Sequence, residues 1–536
     1  MKYLIVIIHS AILFANGFDN IPFDWSGQFG FTNYRGSILW NQDWRSQRLF
    51  FDGTWAVYPR MYGPEVEKGF YGDSYKLNID NDSLTIDSYF QYNQGDYLLD
   101  RFSFAVEYQK NKRNFWFHGF KRTYAGNFNQ FSNGISQPQQ QSYLFGYESS
   151  FGKDDAGISL GHFNTYSGYP DTLQNGLFDN RITTSNIYWK RKFNKISTFL
   201  TIDNFLQRYQ AIHSLAYISN PRYLTRNKYE TKFIYPIIGA DTLSLILSFN
   251  ERFVKMGLSF NEKWYNYLIK YGTKKSNINF GTFILGHKNY FQYSFNFEKV
   301  IGLLTTKMMY SLDNRPVHPY FILNEFQKDI QRVIINETIS STLIINLKKN
   351  IISATIFQIN EKNKLAGIIE NDSLKNIVPH RVLDFFYQTT TIPYLNMRFS
   401  YKMQDSKAIY SSGIANYFEI RLQSKFKLFN DFMDLSVNSD FKHFRDRMNN
   451  FFINPLEMVP VYHSSENHNI LDPVNIINAS ISAQVSNFKI SYQWYNLGEM
   501  VLKSLQSSKE NLFTFHPNIP YLGSQASISI TWMFKN

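Results

Sequence analysis

Charged residues spaced two apart are the groups in this chain best placed to do chemistry. Between Phe418 and Leu428, Glu419, Arg421, Gln423, Lys425 and Lys427 alternate with Phe418, Ile420, Leu422, Phe426 and Leu428. A few residues on, Asp434, Ser436, Asn438, Asp440 and Lys442 alternate with Met433, Leu435, Val437 and Phe441. A short turn at Phe429–Phe432 would set Lys427 opposite Asp434, Arg421 opposite Asp440 and Glu419 opposite Lys442. All three pairs are opposite in sign, and each such cross-strand pair is worth a few tenths to about 1 kcal/mol. A slip of one residue would set charge against hydrocarbon, so the register is strongly specified. A face of this kind attracts and orders ions; it does not break covalent bonds. The eleven histidines form no HExxH or paired metal spacing, no GxSxG is present, and there is no cysteine. The chain is therefore expected not to be an enzyme, with no catalytic residue, no cofactor and no metal site.

The elements that position those charges are strands. Phe102, Phe104, Val106 and Tyr108 oppose Ser103, Ala105, Glu107 and Gln109; Phe291, Tyr293, Phe295 and Phe297 alternate with Gln292, Ser294, Asn296 and Glu298. Leu395, Met397, Phe399 and Tyr401 alternate with Asn396, Arg398, Ser400 and Lys402. Period two over such lengths marks half-buried strands, and no helix of several turns is apparent, so the chain reads as all-β. The last strand is the most telling. Ala526, Ile528, Ile530, Trp532 and Phe534 share one face, and Gln525, Ser527, Ser529 and Thr531 the other. A terminal strand with one apolar face, finished by an aromatic residue, suits the closing strand of a barrel that meets lipid.

Composition and connections agree. Aromatic residues make up 18% of the chain, enough for girdles at two lipid–water boundaries. No uninterrupted apolar stretch is long enough for a membrane-spanning helix. Read back from Phe534, connections alternate in length. About Leu497 to Gly523 is long, Ser486-Asn487 tight, about Arg445 to Pro473 long and Phe429–Phe432 short. Asp405–Gly413 is moderate, Lys348–Asn350 short, and about Asp313–Gln331 long. The expectation is a single transmembrane antiparallel β-barrel of about 22 strands (range roughly 18 to 26), with short periplasmic turns and long external loops. Lys2, an apolar run from Tyr3 to Phe14 and the small-residue site Ala15-Asn16-Gly17 have the layout of a secretory signal peptide over residues 1–17. Residues 18–82 are expected to form N-terminal strands (Trp25–Tyr34, Leu49–Tyr58) or a small luminal segment. Residues 83–536 would be the barrel, closed by strand 524–534.

The C-terminal region, from Asn478-Ala-Ser-Ile-Ser-Ala-Gln-Val through Tyr492-Gln-Trp-Tyr-Asn-Leu497, a long loop with Pro520-Tyr521 and the closing strand, resembles the ending of the Bacteroidetes-type porin family of outer-membrane β-barrels. It is also similar to the last hairpins of TonB-dependent receptor barrels. The resemblance covers about 60 residues and implies an outer-membrane barrel in a Gram-negative cell, with the barrel-assembly machinery, outer-membrane lipid and lipopolysaccharide as partners.

The function expected from these features is a porin or channel for diffusion or facilitated uptake of small hydrophilic solutes. The alternative is a non-conducting barrel subunit of a secretion or surface-attachment machine. The pore-lining candidates are Glu107, Glu298, Arg398, Lys402, Glu419, Arg421, Lys425, Lys427, Asp434, Asp440 and Lys442, six cations against five carboxylates. With a formal net charge of +12, an anion preference follows if the excess lines the lumen. Nucleic acid is not an expected partner, and a homo-oligomer is compatible with the sequence. The basic clusters Phe120-Lys121-Arg122 and Lys190-Arg191-Lys192 read as strand-end anchors or lipopolysaccharide contacts.

Overall fold

The computed structural model describes residues 19–20, 29–34, 37–42 and 85–535, the last apart from 97–98, 124–138, 169–176, 213–220, 238–239, 257, 274, 317–332, 363–378, 406–413, 449–450, 454–459, 463–469, 496 and 499–523. Ahead of the barrel, Phe29–Tyr34 pairs antiparallel with Ser37–Gln42, and Asp19–Asn20 adds an edge. The expected strand Leu49–Tyr58 and the signal segment lie outside the described residues.

From Thr85 onward, each strand of the main sheet pairs antiparallel with the next and the last pairs with the first, so the sheet closes on itself, while Phe451–Ile453 and Pro460–Tyr462 pair apart from it. The staves run from β1 (Thr85–Gly95) to β22 (Gln525–Lys535) and number twenty-two, as the sequence led us to expect. One of them, β20, is made of Ile470–Leu471 and Val474–Val485, both paired to β19 (Met433–Met448). The interruption falls at Asp472-Pro473, where proline has no N–H to offer the ladder. The seam runs from Ser527 opposite Gly95 to Lys535 opposite Asp87. Across it, the Gln91 amide donates to Thr531 Oγ1 at 3.1 Å.

The two rims differ. At one, neighbouring staves are joined by tight turns such as Asn111-Lys112, Asn194-Lys195, Lys348-Lys349 and Ser486-Asn487; the longest connections there are 237–241 and 390–394. Asn111 and Lys112 both have positive φ (50° and 60°), the mirror-image turn whose twist matches that of the flanking strands. This is the periplasmic rim by the convention of such barrels, and both ends of the closed sheet start from it. The other rim carries the long connections, among them 124–138, 317–332, 363–379, 449–469 and 496–524. The alternation read from the C-terminal half therefore holds. It fails elsewhere: β9 (Thr242–Met256) meets β10 (Leu258–Gly272) across a single residue, and β11 (Asn277–Leu285) meets β12 (Lys288–Ile301) at Gly286-His287. The external rim is low over this sector, because its connections are tight at both ends. The β10–β11 ladder here is also close-packed. A Cβ on Gly281 would lie 2.1 Å from the Tyr267 carbonyl oxygen.

Alternation sorts side chains between the two surfaces. Outward, Ile187, Ile202, Tyr229, Phe249 and Tyr265 form one row across five staves, with Phe249 5.8 Å from Tyr229 and 5.1 Å from Tyr265, ring to ring. Phe291, Phe280 and Ile356, on three other staves, are also exposed outward. Such a continuous apolar exterior would be strongly unfavourable in water, at about 25 cal/mol per Å². It is matched to hydrocarbon. Inward lie small polar residues such as Ser244, Ser248, Ser482, Ser491, Ser527 and Ser529, together with nearly all the charges read from the sequence.

Candidate functional site on the inner wall

The hairpin of β18 (Ile414–Leu428) and β19 closes at residues 429–432 with the expected register: Lys427 opposite Asp434, Arg421 opposite Asp440, Glu419 opposite Lys442. The ion pairs then run diagonally as well as across. Arg421 Nε donates to Glu419 Oε1 at 2.6 Å, Lys442 Nζ lies 3.7 Å from Glu419 Oε1, and 3.2 Å from Asp440 Oδ2. Asn478 on β20 donates to Asp440 Oδ2 at 2.9 Å. On β17 (Leu395–Gln404), Lys402 pairs with Asp384 of β16 (His380–Thr389) at 3.3 Å, and Arg398 stands opposite Gln388 and Arg421. So Arg398, Lys402, Glu419, Arg421, Asp440 and Lys442 are brought onto one patch of inner wall.

The other candidates stand apart from it. Lys425, Lys427 and Asp434 are exposed near the periplasmic rim. Glu298 pairs with Lys275 at 3.3 Å and Lys307 at 3.5 Å, also at the periplasmic end. Glu107 stands opposite Asp87 and Trp116, on the same face of the sheet as Gln91 and Asn93. On the closing strand, Ile528, Trp532 and Phe534 are exposed outward while Ala526 and Ile530 are half-buried. Trp532 stacks on Phe534 at 5.1 Å and touches Phe90 across the seam at 6.3 Å.

A second charged patch was not anticipated. It lies on β8 (Arg222–Pro236), β9 and β10, almost opposite the first around the barrel. Arg252 forms an ion pair with Glu262, and Arg226 stands opposite Arg252. Both guanidinium groups sit by the Trp264 ring, Arg226 at 5.1 Å and Arg252 at 5.6 Å, and Arg252 is 5.7 Å from Phe260. Cations over aromatic faces gain electrostatic attraction when desolvated. Trp264 in turn packs with Phe283 and Val333, flanked by Leu285 and Tyr290. The sequence does hold the signal. Continuing the period-two reading past Phe249 to Asn250, Arg252 and Val254, and turning at Gly257, sets Arg252 against Glu262.

Both patches lie in the external half of the wall, and both are deeply buried. Lys442 is 1% exposed, Phe444 0%, Trp264 2% and Arg252 4%. Gln91, Asn93, Gln207, Lys402, Glu419 and Asn478, from other staves at similar heights, are buried as well. Toward the periplasmic rim, Lys425, Lys427 and Asp434 are exposed, although Asn114 and Glu148, opposed on β3 (Arg113–Thr123) and β4 (Gln139–Phe151), are buried there too. The arrangement is a belt of shielded charge beneath the mouth, opening to a more hydrated wall below. Among the described residues no group of three metal-ligating side chains occurs.

No protein-family model and no curated protein matches the sequence. Solved structures do match in shape. The FrpB iron transporter from Neisseria meningitidis superposes with a TM-score of 0.69 at 10% identity, over 98% of this chain and 97% of that one. A mutant of the ferric enterobactin receptor PfeA from Pseudomonas aeruginosa, in complex with enterobactin, gives 0.63 at 10% identity, over 85% and 82%. The siderophore receptor PirA from the same organism gives 0.58 at 8%, over 85% and 81%. The fold is a closed antiparallel β-barrel of the outer-membrane type. At such identities the likeness extends to the fold alone.

Proposed function

We propose that the chain is an outer-membrane barrel for uptake of a hydrophilic solute, closed at rest rather than permanently open. The observation that carries this reading is the burial of long inward side chains, Lys442, Arg252 and Trp264 among them, on facing walls of a twenty-two-stave barrel. Opposite walls of a sheet with so many staves are too far apart to cover each other, and barrels of this size hold a filled lumen where 16- to 18-stranded porins keep a water channel. The solute-uptake assignments of the similar structures, an iron transporter and siderophore receptors, support transport as the class of activity.

An open porin is the second reading, favoured by the hydrated charges Lys425, Lys427 and Asp434. Conductance of the purified full chain in a planar lipid bilayer separates the two. The closed-at-rest barrel stays silent, or opens briefly and irregularly, while folded protein is verified by its heat-dependent gel mobility. Stable stepwise openings of one reproducible size would overturn it in favour of the porin, and the reversal potential in a salt gradient would then report whether the basic excess selects anions.

A further inference from the structure

The outward surface also carries a charge cluster, and a transport role does not use it. On β6 (Leu177–Phe193) and β7 (Ile196–Ile212), Arg181 and Arg208 are direct cross-strand partners. Like charges so placed repel one another. Asp179, itself only 6% exposed, holds the two together. Arg181 donates to it through Nε at 3.0 Å and Nη2 at 2.9 Å, and Arg208 Nη1 lies 3.8 Å away. Arg208 also donates to Gln210 Oε1 at 3.1 Å. Two guanidinium groups share one carboxylate, leaving net positive charge, and their side chains remain 51% and 37% exposed.

Their height is set by the staves. On β7 the outward positions Ile196, Leu200, Ile202 and Leu206 are exposed and apolar, while Thr198 is buried opposite Arg191 and Asn204 is hydrogen-bonded to Asn227. A tilted strand crosses the hydrocarbon in about 9–11 residues, which matches the interval from Ile196 to Leu206. Arg208 is the next outward position beyond it. On β6 Arg191 marks the periplasmic edge of the outward row, Trp189 and Ile187 follow it into the apolar zone, Thr183 faces Leu206, and Arg181 is next. Below the pair, His162 Nδ1 lies 3.3 Å from Thr183 Oγ1, so the polar zone begins there. Single lysines also face outward near the external ends of other staves, Lys121 beside Phe102 and Lys255 beside Tyr223, but neither is a cross-strand pair of guanidinium groups. On β9 and β10, Glu251 neutralises Lys263 at 3.3 Å. Between β13 (Leu304–Pro316) and β14 (Val333–Leu347), the outward Tyr310 hydroxyl donates to Glu337 at 2.9 Å.

We propose that Arg181 and Arg208 bind the phosphate of an outer-leaflet glycolipid, the phosphorylated sugar headgroup of lipopolysaccharide. The proposal rests on the outer-membrane placement above, but not on whether the lumen conducts. A buried carboxylate sets two planar guanidinium groups side by side at headgroup height, and guanidinium is the side chain best shaped for bidentate phosphate contacts. The cluster Lys190-Arg191-Lys192 cannot serve this purpose: it lies at the periplasmic end of β6, where Lys190 pairs with Asp155 at 2.8 Å and Arg191 with Asp154 at 3.7 Å.

The test is native mass spectrometry of the full chain, delipidated in detergent and titrated with lipid A, dephosphorylated lipid A or phosphatidylethanolamine. Wild-type protein should retain lipid A and lose at least about tenfold in apparent affinity for the dephosphorylated form. The Arg181→Gln/Arg208→Gln variant, checked for heat-dependent gel mobility, should bind both forms equally weakly. Free inorganic phosphate at matched concentration should not form the adduct. Equal retention of phosphorylated and dephosphorylated lipid by the wild type would overturn the proposal whatever the variant does. So would full retention of lipid A by a folded double variant. Bilayer conductance of the same preparations is read separately, so a failed transport reading is not mistaken for a failed lipid site.

Discussion

The two charged patches of the inner wall bury their cations by different means. On β17–β20 lysines are surrounded by carboxylates: Lys442 has two within reach, and each of those has another partner in Arg421 or Asn478. On β8–β10 arginines lie on an aromatic ring, and Arg252 is paired with the buried carboxylate of Glu262. The first wall stands under long external connections and the second under the tight turns at Gly257 and Gly286. Where the external connections are long in sequence, a redundant ionic network shields the charge. Where the rim is low, a rigid aromatic block does so. Redundancy tolerates the loss of one member, whereas a block does not.

That contrast can be broken by substitution. Trp264→Ala should have the largest effect. It strips both arginines of their ring and Phe283 and Val333 of their packing, at a cost of about 3–5 kcal/mol, seen as a lower urea midpoint for unfolding from lipid vesicles. Glu262→Gln comes next, at about 3 kcal/mol, since it removes the carboxylate that Arg252 pairs with inside a buried wall. Lys442→Met on the other wall should cost less than half as much in the same assay, because Glu419 keeps Arg421 and Asp440 keeps Asn478. Equal losses for Glu262→Gln and Lys442→Met would erase the distinction between the walls. Gly281→Ala sharpens it from the backbone side. The new methyl group must displace the Tyr267 carbonyl, so the β10–β11 ladder should loosen at about 1–3 kcal/mol, with faster amide exchange at Leu268 and Gly281. Smallest of all, Lys427→Gln at the hydrated end of the network should leave the unfolding midpoint unchanged.

Much of this molecule was readable because period two is unambiguous when one surface meets lipid and the other does not. The closing strand, the stave number and the β18–β19 register all follow from it, as do the tight turns at Phe429–Phe432 and Ser486-Asn487. The low rim was not readable. A tight turn at Gly257 resembles any other hairpin turn, and only its parity in the stave order reveals which rim it occupies. Diagonal pairing also escaped the sequence. Strand register fixes that Arg421 faces Asp440, but the rotamer that sends its Nε to Glu419 is chosen by neighbours on three staves. The burial of Lys442 and Arg252 depends on side chains that several neighbouring staves bring together, and no pattern within one strand encodes that.

The seam between β1 and β22 has a further consequence, for how the barrel is made. Each stave but the first and last finds both of its neighbours next to it in the chain, so β-hairpins can add one after another with little loop entropy to lose. Gln91 and Thr531, by contrast, are 440 residues apart. Bringing such ends together costs on the order of 5 kcal/mol in chain entropy, and none of it is repaid until the whole seam zips. Because both seam strands sit at the limits of the sheet, closure waits until the last stave is in place. Until then the two unpaired edges persist together. A chain shortened by one stave at its C-terminal end would keep nearly all of its hairpins yet be left with an open edge that recruits other sheets.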